Sequence, residues 1–208
     1  MISIKDNLAN IVSISRIFVA FAAVYLLFIP SDINLLWAFI LTVIAFSLDG
    51  LDGYLARKLN QTSELGSVLD IMGDRIVEVT YWVAFAVLGW ISIVFPLICV
   101  TRAFVTDGIR SVALSQGYTA FGEKTMQKTD WGQFICASKF MRISYAVAKV
   151  GAFMFLILAH VAGCPLFALV NLPVLAQVFA FIAIVFCVVR ALPVIFESGY
   201  LFNKAENE

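Results

Sequence analysis

Residues 35–57 read LLWAFILTVIAFSLDGLDGYLAR, an apolar run that ends in charged and small residues. A helix of this length reaches about 35 Å, which is enough to cross the roughly 30 Å hydrocarbon core of a bilayer. Asp49 and Asp52 lie inside the run, although a charge at mid-membrane costs on the order of 2.5–3.5 kcal/mol. The stretch therefore predicts a membrane helix that carries a polar site near one end.

The composition of the whole chain also indicates a membrane protein. Of its 208 residues, 62% are hydrophobic and 13% are charged, whereas a soluble domain has roughly 25% charged residues. Lys and Arg number 14, and Asp and Glu also number 14. This balance lacks the basic excess of a nucleic-acid-binding protein, and the high apolar content excludes a disordered chain.

Turn residues divide the chain into six apolar segments, roughly 9–29, 35–57, 64–89, 91–116, 137–160 and 168–195. If six helices alternate across a membrane, one side receives the cations of the connections and chain ends: Lys5, Arg57, Lys58, Lys124, Lys128 and Lys204. The positive-inside rule makes that side cytoplasmic. We therefore expect an all-α integral membrane protein, with residues 1–208 forming one six-transmembrane-helix bundle whose termini are both cytoplasmic. The cell's inner membrane is its expected location, with the polar site facing the cytoplasm.

Four aspartates lie on two consecutive segments of this predicted bundle. On a helix, Asp49 and Asp52 are about 60° apart, and Asp70 and Asp74 are about 40° apart. Because a short cytoplasmic turn joins the two helices, we expect antiparallel neighbours whose carboxylates converge. Four such carboxylates repel each other unless cations balance them, and their oxygens suit Mg²⁺ or Mn²⁺. They can hold two ions about 3.5–4 Å apart, as in phosphoryl transfer.

Small and cationic residues accompany the aspartates. The glycines allow a substrate to approach the backbone closely, and Arg57 suits a diphosphate because it can form two parallel hydrogen bonds. Thr62 and Ser63 begin the next helix, where free N–H groups favour an anion. The alternative is a set of buried ion pairs that tie the helices together. Only Arg57 and Arg75 lie close in sequence to the four aspartates, so such pairing would be incomplete.

These residues spell Asp49-x-x-Asp52-Gly53-x-x-Ala56-Arg57, eight further residues, then Gly66-x-x-x-Asp70-x-x-x-Asp74. The pattern resembles the signature of the CDP-alcohol phosphatidyltransferase family at every position. Asn10-x-x-Ser13-x-x-Arg16 is similar to a second pattern of that family, with Ser in place of Thr. The resemblance is strong over the first 80 residues and extends to the rest by topology.

The resemblance implies that a phosphatidyl group passes from CDP-diacylglycerol to a small alcohol while CMP leaves. It implies that the four aspartates hold the metals, that Asp74 is also the catalytic base, and that the protein is a homodimer. The residues expected around the CDP-lipid are Gly53, Ala56, Arg57, Ser63 and Gly66.

The second half of the chain carries an excess of cations in its apolar segments, which calls for an anionic partner. We expect four of them to bind the acceptor: Arg102, Arg110, Lys139 and Arg142. Within the family this pattern is most similar to phosphatidylglycerophosphate synthases, which makes glycerol 3-phosphate the favoured acceptor. Inositol phosphate, inositol and serine remain open. Alternatively, these cations extend to the interface or pair with Asp107 and lipid headgroups.

Two other classes of membrane protein compete with this interpretation. An aspartate-rich prenyltransferase also uses carboxylate-bound Mg²⁺ and a diphosphate, but its two motifs usually lie far apart. Here both aspartate pairs fall within residues 49–74. A cation transporter could use the aspartates as an ion path. Transporters often show internal repeats, and transport does not require the Gly-x-x-Ala-Arg spacing.

Overall fold

A computed structural model describes residues 8–58, 64–118, 127–162 and 171–199. Within these ranges the chain forms helices: α1 (Leu8–Leu27), α2 (Asp32–Lys58), α3 (Glu64–Val87), α4 (Val94–Ser115), α5 (Asp130–Ala137), α6 (Lys139–Leu158), α7 (Leu172–Val189) and α8 (Leu192–Phe196). The expectation of an all-α protein is confirmed.

The long helices α1, α2, α3, α4, α6 and α7 coincide with the six apolar segments of the sequence. The chain leaves α3 through Gly89, whose φ of 74° lies in the left-handed region that favours glycine. The short helix α5 was not predicted, because its first half belongs to the polar connection between the fourth and fifth apolar segments. Its first turn is capped by Thr129, whose Oγ1 accepts a hydrogen bond from the Gly132 N–H at 3.2 Å.

Four stretches are long and apolar enough to cross a membrane: Asn10–Leu27, Asp32–Leu51, Asp130–Leu158 and Leu172–Phe196. They identify the chain as a membrane protein. Charged side chains interrupt α3 and α4 and lower their hydropathy, so neither belongs to this set. By length and composition the described residues therefore offer four candidate spans, and six spans stay a prediction.

The chain divides into two compact units. Unit 1 comprises Met1–Ile93 and Phe153–Gln177, and unit 2 comprises Val94–Ala152 and Val178–Glu208. In unit 1, α1 packs against both α2 and α3. In unit 2, α8 packs against α4 and α5.

An aromatic cluster forms the core of unit 1. The ring of Phe153 on α6 stacks on Tyr81 at 5.0 Å and meets the edge of Trp82 at 4.9 Å between centroids. Phe46 of α2 and Phe85 of α3 contact the same ring. Aromatic contacts of this kind add about 0.5–1.5 kcal/mol each beyond area burial, so the cluster ties α6 to the two helices that carry the aspartates.

Close helix contact marks unit 2. A Cβ at Gly151 of α6 would meet the ring of Phe179 on α7 at 2.6 Å, so glycine is required for this approach. Cys99, Cys136 and Cys187 are buried. They act as small core residues, which is a common use of cysteine inside proteins.

Candidate active site

Arg16 of α1 gathers the aspartates of unit 1 around one guanidinium group. Its Nη1 contacts the carboxylates of Asp49 and, at 3.3 Å, Asp74. Its Nη2 lies 3.4 Å from Asp70 Oδ1. The side chain of Arg16 is only 2% exposed. Three of the four aspartates predicted to be metal ligands are thus brought together, one from α2 and two from α3.

The guanidinium group rests directly on the backbone of α3. Nη2 of Arg16 donates a hydrogen bond to the carbonyl oxygen of Asp70 at 2.9 Å. A Cβ at Gly73 would lie 2.8 Å from Nη2 and 3.2 Å from Nε. The absence of a side chain at Gly73 therefore makes room for the guanidinium of Arg16.

The aspartates are open enough to bind a further partner. Their side chains are 39% exposed at Asp49, 55% at Asp70 and 49% at Asp74. When ionised, three carboxylates outweigh one guanidinium, so the centre keeps an excess of negative charge. Partly exposed carboxylate oxygens with net negative charge are the donors that hard divalent cations prefer. The residues present therefore fit a metal such as Mg²⁺ or Mn²⁺.

Structural ion pairs, the alternative to a metal site, are present in part. They are formed by Arg16, which was not expected to belong to the site. Arg16 was noted only as the end of the Asn10-x-x-Ser13-x-x-Arg16 pattern. Its signal was a single cation inside the first apolar segment. Of the two arginines considered, Arg75 lies 3.8 Å from the buried Glu78.

Several predicted residues cannot be assigned contacts. Asp52, Gly53, Ala56 and Arg57 belong to the end of α2, but their side chains lie outside the described structure. Thr62 and Ser63 also lie outside the described residues. Gly66 lies in the first turns of α3 and is partly buried.

In unit 2, cations surround Tyr145 of α6, which is 6% exposed. Arg102 donates a hydrogen bond from Nη2 to the Tyr145 hydroxyl at 3.2 Å and from Nε to Cys187 Sγ at 3.1 Å. The Arg190 guanidinium and the Lys149 ammonium each lie 5.4 Å from the centre of the tyrosine ring. Both distances are within cation–π range.

Two of the predicted acceptor residues, Arg102 and Arg110, fall in or near this group of cations. Arg102 and Arg110 are both close enough to act electrostatically on Arg190. Arg110 also lies 4.0 Å from Asp107, as the ion-pair alternative proposed. Arg142 is partly buried and precedes Tyr145 by three residues on α6, which makes the two helical neighbours. Lys139 is exposed and lies about 120° around the helix from Tyr145. Arg190 is a cation of the last apolar segment, 168–195, but it is not among the four residues expected to bind the acceptor.

The fold and the site define a helical membrane protein in which three helices assemble a carboxylate centre around a buried arginine. The model of the family "CDP-alcohol phosphatidyltransferase" matches residues 6–189, so the chain belongs to this family. Members of the family generally depend on a divalent metal ion.

Curated relatives cover parts of the chain. A CDP-diacylglycerol–glycerol-3-phosphate 3-phosphatidyltransferase of Mycoplasma genitalium is 27% identical over 126 residues, which are 52% of this chain and 53% of the relative. One of the same name from Bacillus subtilis is 27% identical over 99 residues, or 48% and 51%. A candidate cardiolipin synthase of Mycobacterium bovis is 34% identical over 84 residues, 40% of each chain. The chain spans about half the length of the curated relatives it matches.

Proposed function

We propose that this protein transfers a phosphatidyl group from CDP-diacylglycerol to a small alcohol and releases CMP. The observation that carries the proposal is the meeting of Asp49, Asp70 and Asp74 on Arg16. These aspartates belong to the pattern that resembles the family's signature, and the chain is a member of that family. In the reaction, the acceptor hydroxyl oxygen forms a bond to the phosphatidyl phosphorus, and the bond from that phosphorus to CMP breaks.

The four aspartates of the signature, Asp49, Asp52, Asp70 and Asp74, would hold two Mg²⁺ or Mn²⁺ ions. When bound, these ions would neutralise the diphosphate and stabilise the charge that develops during transfer. Asp74 takes the proton from the acceptor hydroxyl. Arg57 would bind the diphosphate through paired hydrogen bonds. The other residues that we propose for the CDP-lipid are Gly53, Ala56, Ser63 and Gly66.

We propose glycerol 3-phosphate as the acceptor. The cations around Tyr145 support an acceptor that carries a phosphate, because Arg102 and Arg190 both approach this buried ring. Nε of Arg190 is buried and has no hydrogen-bond partner among the described residues, so it is available to an anion. Arg110, Lys139 and Arg142 complete the proposed set. The names of two relatives agree with this acceptor.

We also propose that residues 1–208 form one catalytic domain with six membrane spans. In this arrangement α3 and α4 would also cross the membrane, in addition to the four candidate spans, with their charged side chains turned away from lipid. Both termini and the α2–α3 connection would lie on the cytoplasmic side of the cell membrane, where CDP-diacylglycerol and the soluble acceptor meet. A homodimer is proposed from the family resemblance.

The test is CMP release by the purified protein in detergent with CDP-diacylglycerol and Mg²⁺. Glycerol 3-phosphate, inositol phosphate, inositol, serine and phosphatidylglycerol are supplied in parallel, and EDTA is the control. We expect release with glycerol 3-phosphate that EDTA abolishes. Release with phosphatidylglycerol alone would instead match the relative described as a cardiolipin synthase.

Other outcomes reject the acceptor or the whole proposal. Release with inositol phosphate, inositol or serine alone would keep the reaction and replace the acceptor. A folded protein that does not bind CDP-diacylglycerol would reject the proposed reaction. The prenyltransferase hypothesis would then be tested by supplying a prenyl diphosphate. The cation-transporter hypothesis would be tested by measuring ion flux into vesicles.

A further inference from the structure

We propose that Arg16 is a positioning residue of the metal centre. It holds one carboxylate oxygen each of Asp49, Asp70 and Asp74. The three carboxylates are therefore in position before a divalent cation binds. This inference rests on the proposed function, since it concerns the metal centre of the same site. Arg16 acts only through the aspartates and needs no contact with a substrate.

The contacts of Arg16 have the geometry of a template. Each of the three carboxylates meets the guanidinium through its Oδ1 atom. The guanidinium is buried while the carboxylates are 39–55% exposed. The arginine therefore lies beneath the carboxylates, and a cation can approach them from their exposed side.

Two further contacts fix the guanidinium itself. Nη2 of Arg16 donates a hydrogen bond to the Asp70 carbonyl oxygen at 2.9 Å. The guanidinium group also lies against Gly73 of α3. Only the rigid fork of arginine can direct two nitrogens at carboxylates from two helices at once. Lysine would supply the charge but not this geometry.

The permanent charge of Arg16 has a second consequence. Arginine stays protonated in proteins, so it balances part of the repulsion between the carboxylates when no metal is bound. Some residues hold metal ligands in place without touching the metal, and replacing one of them typically lowers metal affinity by about 10–100-fold. We expect an effect of this size at Arg16.

The experiment measures Mn²⁺ affinity of the purified full chain by electron paramagnetic resonance of the free ion, without lipid substrate. Arg16→Gln removes the charge and the fork, and Arg16→Lys keeps the charge alone. Gly73→Ala keeps every charge but pushes the guanidinium from α3. Gly50→Ala is the matched control, because a Cβ at this helical glycine beside Asp49 meets nothing within 4 Å.

We expect Mn²⁺ affinity to fall about tenfold or more in both Arg16 variants and in Gly73→Ala, and to stay within about twofold of the unaltered protein in Gly50→Ala. Melting temperatures in EDTA and in saturating Mn²⁺ are recorded for each variant. The melting temperature of Arg16→Gln should fall more in EDTA than that of Arg16→Lys, which retains the charge.

Two results would overturn the inference alone. If the melting temperature falls but Mn²⁺ affinity is unchanged, Arg16 only joins the helices. If Arg16→Gln binds Mn²⁺ more tightly, the arginine competes with the metal instead of preparing its site. If the unaltered protein binds no Mn²⁺, the proposed metal centre fails and the inference fails with it.

Discussion

The hydroxyl oxygens of Thr42 and Tyr81 lie 2.7 Å apart, and neither side chain is exposed. Thr42 precedes Asp49 by seven residues on α2, and Tyr81 follows Asp74 by seven residues on α3. The hydroxyl pair therefore lies about 10 Å along each helix from the carboxylates. Because the Thr42 hydroxyl donates to the Ala38 carbonyl at 2.7 Å, Tyr81 is the donor of the bond to Thr42. This bond fixes the register in which α2 and α3 present their aspartates.

The direction of this hydrogen bond predicts unequal effects of two conservative substitutions. Tyr81→Phe removes the donor and leaves Thr42 bonded to Ala38, so we expect a loss of about 0.5–1.5 kcal/mol in unfolding free energy. Thr42→Val leaves the buried tyrosine hydroxyl without its acceptor, so we expect about 1–3 kcal/mol. Unfolding of both variants in the same detergent measures the difference. An equal loss, or a larger one for Tyr81→Phe, would contradict the assigned donor.

The sequence was sufficient to locate the long helices, because hydrophobic segments of about 20 residues are separated by turn residues such as Pro30 and Gly89. It did not predict α5. A helix of eight residues has little periodicity, and this one depends on caps supplied by Thr129 and, from far along the chain, by Glu197.

Helical spacing also predicted that Asp70 and Asp74 share a face of α3, but it could not predict that Arg16 binds them. Arg16 meets Asp70 and Asp74 across 54 and 58 residues. A contact over such a distance depends on how α1 packs on α3, and local spacing holds no information about that packing. For the same reason Arg190 could be recognised as a cation in an apolar segment, but its approach to Tyr145 could not be foreseen.

Asp74→Asn should abolish CMP release and leave the fold intact. The asparagine amide cannot take a proton from the acceptor hydroxyl. Its oxygen can still accept the hydrogen bond from Arg16, which is 3.3 Å long with Asp74. Initial rates with saturating substrates and Mg²⁺ measure the effect. Activity above a few per cent of the unaltered protein would show that Asp74 is not the base.

A matched control for this loss is Asp32→Asn at the start of α2. Asp32 accepts a hydrogen bond from the Ala162 N–H at 2.9 Å. Asparagine retains that acceptor, and the residue is not part of the proposed site. We expect nearly full activity and an unchanged melting temperature. A comparable loss of activity in Asp32→Asn would mean that any aspartate-to-asparagine change in unit 1 disturbs the protein.

Glu197 should control the local stability of α5. Its carboxylate accepts the N–H groups of Lys128, at 2.6 Å, and Thr129, at 3.4 Å, as well as the Thr129 hydroxyl. Loss of a capping side chain costs about 1 kcal/mol, so in Glu197→Ala the amides of α5 should exchange hydrogen about fivefold faster. Mass spectrometry of peptides from α5 measures the exchange. Glu197→Gln, which keeps an acceptor oxygen, should show a smaller effect, and equal exchange in both variants would contradict a capping role.

Arg190→Gln should raise the KM for glycerol 3-phosphate and leave the KM for CDP-diacylglycerol nearly unchanged. A hydrogen bond to a charged group contributes about 1.5–3 kcal/mol, so we expect the acceptor KM to rise about tenfold or more. Arg110→Ala and Lys139→Ala should act in the same direction. Lys128→Ala is the control, because this exposed lysine is also a cation of unit 2 but is not part of the proposed acceptor set. If Arg190→Gln leaves the acceptor KM unchanged, the cations around Tyr145 do not bind the acceptor phosphate.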